Sequence, residues 1–97
     1  QYPTVPKIER DINFIFNKKY LVSEIISQIK KSGKKLLENV NLIDIYADDN
    51  FDNEFISYTF RLSYRDSTKT LIDSDIAALH KNIVSIIEDK FSTKLRD

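Results

Sequence analysis

Apolar and polar residues alternate from Ile8 to Phe16. Ile12, Phe14 and Phe16 point one way, and Asp11, Asn13 and Ile15 point the other. This two-residue period predicts a strand with one buried face. The preceding Tyr2-Pro3-Thr4-Val5-Pro6 is an extended entry, because each proline fixes its own φ and moves the residue before it out of the helical region. From Leu21 to Ser32 the spacing changes. Val22, Ile25, Ile26 and Ile29 recur at the 3.6-residue period of an amphipathic helix. Gly33, the only glycine, is expected in the left-handed conformation that ends a helix. Lys30, Lys31, Lys34 and Lys35 surround that end. They are read as a solvated surface favoured by the helix dipole, in preference to a phosphate site.

Alternation returns from Val40 to Ala47. Asn41, Ile43 and Ile45 share one face; Val40, Leu42, Asp44 and Tyr46 share the other. Asp48 to Glu54 reads as a polar, acidic loop. A third strand follows over Ile56 to Tyr64, with Ile56, Tyr58, Phe60, Leu62 and Tyr64 on one face and Ser57, Thr59, Arg61 and Ser63 on the other. Arg65 to Thr70 is a loop. Asp73 or Ser74 is expected to cap a second helix, with Asp75 in its first turn. Ile76, Leu79, Ile83 and Ile87 mark its buried stripe, widened by Ala77, Val84 and Ile86. Phe91 to Leu95 predicts a short last strand. The order β-α-β-β-α-β gives an α+β, ferredoxin-like fold: a four-stranded antiparallel sheet with two helices on one face and the other face open.

Composition narrows the function classes. The 97 residues fit a single domain, residues 1–97. Lys+Arg and Asp+Glu number 15 each, so the net charge is zero. That argues against strong, sequence-independent binding to nucleic acid, which comes from neutralised phosphates. A small contact made by a few placed residues is still allowed. The absence of cysteine excludes disulfides, Cys-ligated metals and thiol catalysis. No apolar run approaches the ~20 residues that span a bilayer, so no membrane partner is expected. Methionine is absent even at position 1, which is read as the mark of a fragment excised from a longer chain.

The faces suggest chemistry. Sending Ile43 and Ile45 beneath the helices turns Asp44 and Tyr46 outward, side by side. Sending Tyr58, Phe60 and Leu62 beneath them turns Ser57, Thr59, Arg61 and Ser63 outward. A base stacks on an aromatic ring whatever its identity, and its polar edge then needs donors and acceptors nearby. Asp44, an acceptor only, would favour a base presenting N–H groups, such as guanine. Arg61, Arg65 and Lys69 are the candidates to reach phosphates. Asp and Arg on an exposed sheet face are equally ordinary solubilising residues, so spacing alone leaves both readings open.

At these residues the chain resembles the ferredoxin-fold anticodon-binding domain that ends the β subunit of bacterial-type phenylalanyl-tRNA synthetases. Tyr2-Pro3 with Arg10-Asp11-Ile12 resembles the family's Tyr-Pro…Arg-Asp-Leu. Leu36-Leu37-Glu38-Asn39-Val40-Asn41-Leu42-Ile43-Asp44-Ile45-Tyr46 resembles its Leu-Leu-Glu-x-Val-x-Leu-Phe-Asp-x-Tyr. Ser57-Tyr58-Thr59-Phe60-Arg61-Leu62 resembles its Ser-Leu-Ala-Tyr-Arg-Leu, and Thr70-Leu71 with Asp75-Ile76 its Thr-Leu-x-x-x-Glu-Val. Two departures stand out: Ile43 replaces the family's Phe, and Glu54-Phe55-Ile56 replaces its Gly-Lys. The resemblance implies that Tyr46 stacks on the first anticodon base, a guanine, with Asp44 and Ser57 beside it. It implies tRNA(Phe) as partner, an α subunit in an α2β2 assembly, and a cytoplasmic enzyme. It also implies ATP and magnesium for the intact synthetase, with no catalytic residue, cofactor or metal in this domain.

Two rival classes share this architecture. An acylphosphatase-type enzyme would want an anion cradle with an Arg after the first strand, where this chain has Asn17-Lys18-Lys19-Tyr20. The lone histidine, His80, sits near the core stripe and reads as structural and not as a general base. A regulatory or dimerisation module binding a small ligand is the alternative that the open face and edge strands permit.

Overall fold

The inward residues of the first alternating run decide the layering. The computed structural model describes residues 6–47 and 53–93. It contains β1 (Ile8–Asn17), α1 (Val22–Gly33), β2 (Leu37–Tyr46), β3 (Phe55–Tyr64) and α2 (Asp73–Lys90). Ile12, Phe14 and Phe16 of β1 are fully covered, as are Phe60, Leu62 and Tyr64 of β3. Both sets lie under the helices. β3 is central, pairing antiparallel with β1 on one side and β2 on the other. This is the ferredoxin-like α+β arrangement of two helices over an antiparallel sheet.

Each helix adds a narrow apolar stripe. Ile25 and Ile29 of α1 and Ile76, Ile83 and Ile87 of α2 are completely or almost completely buried. Val22, Ile26, Leu79 and Val84 pack against that core. Both helix starts use a carboxylate on the third residue. Glu24 accepts the Leu21 backbone N–H at 2.9 Å, and Asp75 accepts that of Ile72 at 2.9 Å. The expected cap at Asp73 or Ser74 is therefore corrected: Ile72 holds the cap position and Asp73 is the first helical residue. The N–H left open by an apolar cap residue is satisfied from inside the helix.

Gly33 is also corrected. It ends α1 without a positive φ; Lys34 takes that conformation, at φ 56°. Glycine is required at position 33 for space. A Cβ there would lie 2.2 Å from Leu37 Cδ2 and 2.3 Å from its Cβ. Leu37 opens β2, so the short connection from helix to strand must move to relieve the clash. Gly33→Ala is expected to cost about 1–3 kcal/mol, the range of an overpacked core, read as a lower midpoint in urea unfolding.

The predicted last strand is corrected over its described part. α2 continues to Lys90, and Phe91 closes it through an N–H bond to the Ile87 carbonyl at 3.0 Å. The Phe91 ring is 3% exposed and stands edge-on to Phe16 and Tyr20. Its apolar character serves the helix end. The rest of that expected strand, the entry at Tyr2–Val5 and most of the acidic loop at 48–52 lie outside the described residues.

Among the described residues the buried polar side chains are paired. The Tyr64 hydroxyl and His80 Nδ1 are 2.8 Å apart. Burial pushes the Tyr64 phenol up to about 12. It therefore keeps its proton at neutral pH, and the tautomer of the neutral imidazole sets which partner donates. Burial first, and the Arg10 charge second, push His80 below its ordinary value. The unfolded chain then takes up a proton near pH ~6.5, before the folded one does. Stability is full above that pH and declines as pH falls through the folded-state value. His80 is the only histidine, so a fall in the urea midpoint between about pH 7 and 5 should flatten in His80→Gln.

Candidate nucleic-acid interface

Alternation alone would place Val40, Leu42, Asp44 and Tyr46 on one face. The structure breaks that phase. Val40 is paired with Leu62 and Leu42 with Phe60, so both face the helices. The register then shifts between Leu42 and Asp44. Ile43 is the extra residue of this bulge, and a bulge re-aims everything after it. Beyond it Asp44 is opposite Thr59 and Tyr46 opposite Ser57, on the face without helices.

The expectation that Ile43 goes beneath the helices is thus corrected: at the bulge it is 41% exposed. Ile45 does fall on the helix side, opposite Tyr58, yet is 57% exposed near the end of an edge strand. Asp44 and Tyr46 do point outward, through a bulge and not through simple alternation. The sequence carries a trace of it. The apolar pair Val40 and Leu42 and the apolar pair Ile43 and Ile45 are out of phase.

The open face is built in rows across β1, β3 and β2. Asp11, Arg61 and Asn41 form one; Ile15, Ser57 and Tyr46 form another nearer the β2–β3 end. Asn13 and Thr59 on β1 and β3, with Asp44 opposite Thr59 on β2, lie between them. Asn13 organises this end. Its Nδ2 donates to Ser57 Oγ at 2.8 Å, to Thr59 Oγ1 at 2.7 Å and to the Tyr58 carbonyl at 3.2 Å. Sequence reasoning put Asn13 on this face but gave it no role; no motif marks a residue that acts by aligning its neighbours. Ser57 is only 2% exposed, held between its register partners and the Asn13 amide. Tyr46 is 49% exposed.

The three candidate cations are each engaged with a carboxylate. Arg61 grips Asp11 with two bonds, Nε to Oδ1 at 2.9 Å and an Nη to Oδ2 at 3.1 Å. The hydrogen-bonded guanidinium holds the Asp11 carboxyl below its usual range, and the carboxylate raises Arg61 in return. Arg65 donates from Nε to Glu38 at 2.7 Å. Lys69 Nζ is 3.7 Å from Asp75. Arg65 also lies eight residues along from Ser57, about 26 Å at a strand's rise of roughly 3.3 Å per residue. The structure thus brings Asp44, Tyr46 and Ser57 together, with Arg61 two rows away, and leaves Arg65 and Lys69 at the opposite end.

The other concavities are separate. A cleft of about 410 Å³ on the helix side is lined by Arg10, Ile76, His80 and Val84. A polar one of about 450 Å³, lined by Lys35, Glu38 and Arg65, sits at the far end of the sheet. Among the described residues no group of three or more His, Asp or Glu is placed to hold a metal ion, and no helix is long and apolar enough to cross a membrane.

A family model described as a ferredoxin-fold anticodon binding domain matches residues 3–96. The phenylalanine--tRNA ligase beta subunit of Prochlorococcus marinus subsp. pastoris (strain CCMP1986 / NIES-2087 / MED4) is 82% identical over 97 residues, 100% of this chain and 12% of that protein. The same subunit of Prochlorococcus marinus (strain MIT 9312) is 63% identical over the same span, again 12% of its length. That of Trichormus variabilis is 41% identical over 95 residues, 98% of this chain and 12% of the relative. The chain spans about 12% of the length of these curated relatives.

Proposed function

The chain belongs to the ferredoxin-fold anticodon binding domain family, and from that premise we propose that its open sheet face reads the anticodon of tRNA(Phe) within a phenylalanine–tRNA ligase β subunit. The observation that carries this is the bulge after Leu42, which sets Tyr46 and Asp44 on that face opposite Ser57 and Thr59. The first anticodon base, a guanine, stacks on the Tyr46 ring. Asp44, two residues away on the same face, accepts from its Watson–Crick N–H groups. Ser57, covered and tied to Asn13, backs the ring as its floor. Arg61 releases Asp11 only if a phosphate competes for it, and Arg65 with Lys69 reach more distant backbone.

The fragment is non-catalytic. Aminoacylation with ATP and magnesium belongs to the intact cytoplasmic enzyme, in which the β subunit works with an α subunit as α2β2. The fourth strand expected of a ferredoxin-like sheet would pair at the outer edge of β1. The Thr93 hydroxyl, bonded to the Ile15 carbonyl, brings the chain to that edge.

One stacked base contributes roughly 1–3 kcal/mol, and two or three hydrogen bonds about 0.5–1.5 each. The sum, roughly 2–7 kcal/mol, corresponds to dissociation constants from tens of millimolar to about 10 µM before ordering costs. The domain alone should bind weakly, and contacts elsewhere in the enzyme would raise its effective concentration at the anticodon. The test compares anticodon stem-loops carrying guanine or adenine as the first anticodon base. Wild type should favour guanine by about tenfold, as a hydrogen bond to a charged group allows. Asp44→Asn should erase most of that preference. An unchanged preference in Asp44→Asn would remove Asp44 from the site.

A further inference from the structure

We infer that Phe55 is a second stacking platform, which holds a nucleotide adjacent to the one on Tyr46. The inference rests on the anticodon reading and extends it by one residue and one base.

Phe55 opens β3 and is paired with Asn17 of β1. The next pair, Phe16 with Ile56, has its Phe16 ring fully buried under the helices. Alternation therefore puts Phe55 on the open face with Ser57. Ser57 is in register with Tyr46, so Phe55 is the diagonal neighbour of Tyr46 across the two strands. Diagonal neighbours are about 7–8 Å apart, within reach of aromatic side chains. The two aromatic positions are thus diagonal neighbours at one end of one face.

The chemistry of the surroundings favours a base over a core role. Phe55 is 36% exposed. On its own face its register partner is Asn17 and its next neighbour along the strand is Ser57, both polar. A phenyl ring there forgoes part of the burial that usually justifies it. A base laid on it would supply that burial, and successive bases of a single strand commonly stack on successive aromatic side chains. The open faces of other RNA-reading sheets stack two or three bases in this way.

The two platforms should differ in what they read. Tyr46 has Asp44 beside it to test the edge of its base. Phe55 has no hydrogen-bonding group of its own, so it should require a base and tolerate its identity.

The experiment titrates anticodon stem-loop RNAs into the 97-residue chain, followed by NMR because binding is weak. The RNAs are the intact loop, loops abasic at the first anticodon nucleotide or at either flanking one, and loops with a flanking base exchanged. Phe55→Leu, which keeps apolar bulk and loses the ring, should weaken intact-loop binding about five- to tenfold. Phe55→Trp should restore it. The Phe55→Leu loss should vanish for the RNA abasic at one flanking nucleotide, and exchanging that base should change wild-type binding less than about twofold. A loss of the same size on every abasic RNA, or no loss on the intact loop, would overturn the proposal. The two failures are separable: if Tyr46→Ala and the abasic first nucleotide are also without effect, the anticodon reading itself falls. If those two remain coupled, only the role of Phe55 falls.

Discussion

Phe16→Ala is expected to destabilise the domain by about 3–5 kcal/mol, the cost of emptying a large aromatic site in a packed core. The ring is completely buried. Its centroid lies 5.5 Å from that of Phe14, 5.8 Å from Tyr58, 6.3 Å from Phe60 and 5.8 Å from Phe91. These rings come from β1, β3 and the end of α2, so one side chain joins sheet to helix. Edge-on and tilted pairs add roughly 0.5–1.5 kcal/mol each beyond the area they bury. A small domain has only about 5–15 kcal/mol of stability in all. The melting temperature should fall by roughly 12 °C or more. Phe16→Leu, which refills most of the volume, should lose less than half as much. A loss below about 1 kcal/mol for the alanine variant would mean that this cluster is not close-packed.

Tyr46→Ala is expected to weaken binding to tRNA(Phe) by at least tenfold while leaving thermal stability nearly unchanged. Stacking accounts for roughly 1–3 kcal/mol. Losing the ring also releases the base from the geometry in which Asp44 can accept from it, about one further kcal/mol. Stability should be spared because the ring is half exposed near the end of an edge strand and contributes little to the core. Tyr46→Phe should retain most of the affinity. The informative measurement pairs a tRNA titration with a melting curve on the same preparations. Equal affinity of wild type and Tyr46→Ala would remove the ring from recognition. A large drop in melting temperature would reassign it to structure.

Much of the fold was legible because each element obeys one strong period. The β1 and β3 alternations and the α1 and α2 stripes bury the central residues their spacing selects, from Phe14 and Phe60 to Ile29 and Ile83; Ala77, expected to widen the α2 stripe, is exposed. The failures occur where two demands compete for one residue. Gly33 looked like a left-handed cap, but its real constraint is Leu37, a contact created only when β2 folds back against α1. Phe91 looked like strand because its ring is apolar, and it is apolar because it closes the α2 end over Phe16 and Tyr20.

The candidate site was legible in composition and not in geometry. Asp44, Tyr46 and Ser57 were singled out from local pattern and resemblance, and their common face depends on a bulge at Ile43 that alternation hides. The pairing of Arg61 with Asp11 spans fifty positions, and so does not register in any local window. It also changes the electrostatics of the face. The strand-borne cation nearest the candidate base is already neutralised by a partner, which suits the proposed reading of one loop by a zero-charge domain with no strong grip on polyanions in general.

The most direct measurement is a map of backbone amide shifts on adding a tRNA(Phe) anticodon stem-loop to the isotopically labelled chain. The changes should concentrate at Asp44, Tyr46, Ser57 and Thr59, and spare Ala77, His80 and Lys81 on the helix side. Shifts centred on α1 or α2, with the sheet end around Tyr46 silent, would contradict recognition by the open face.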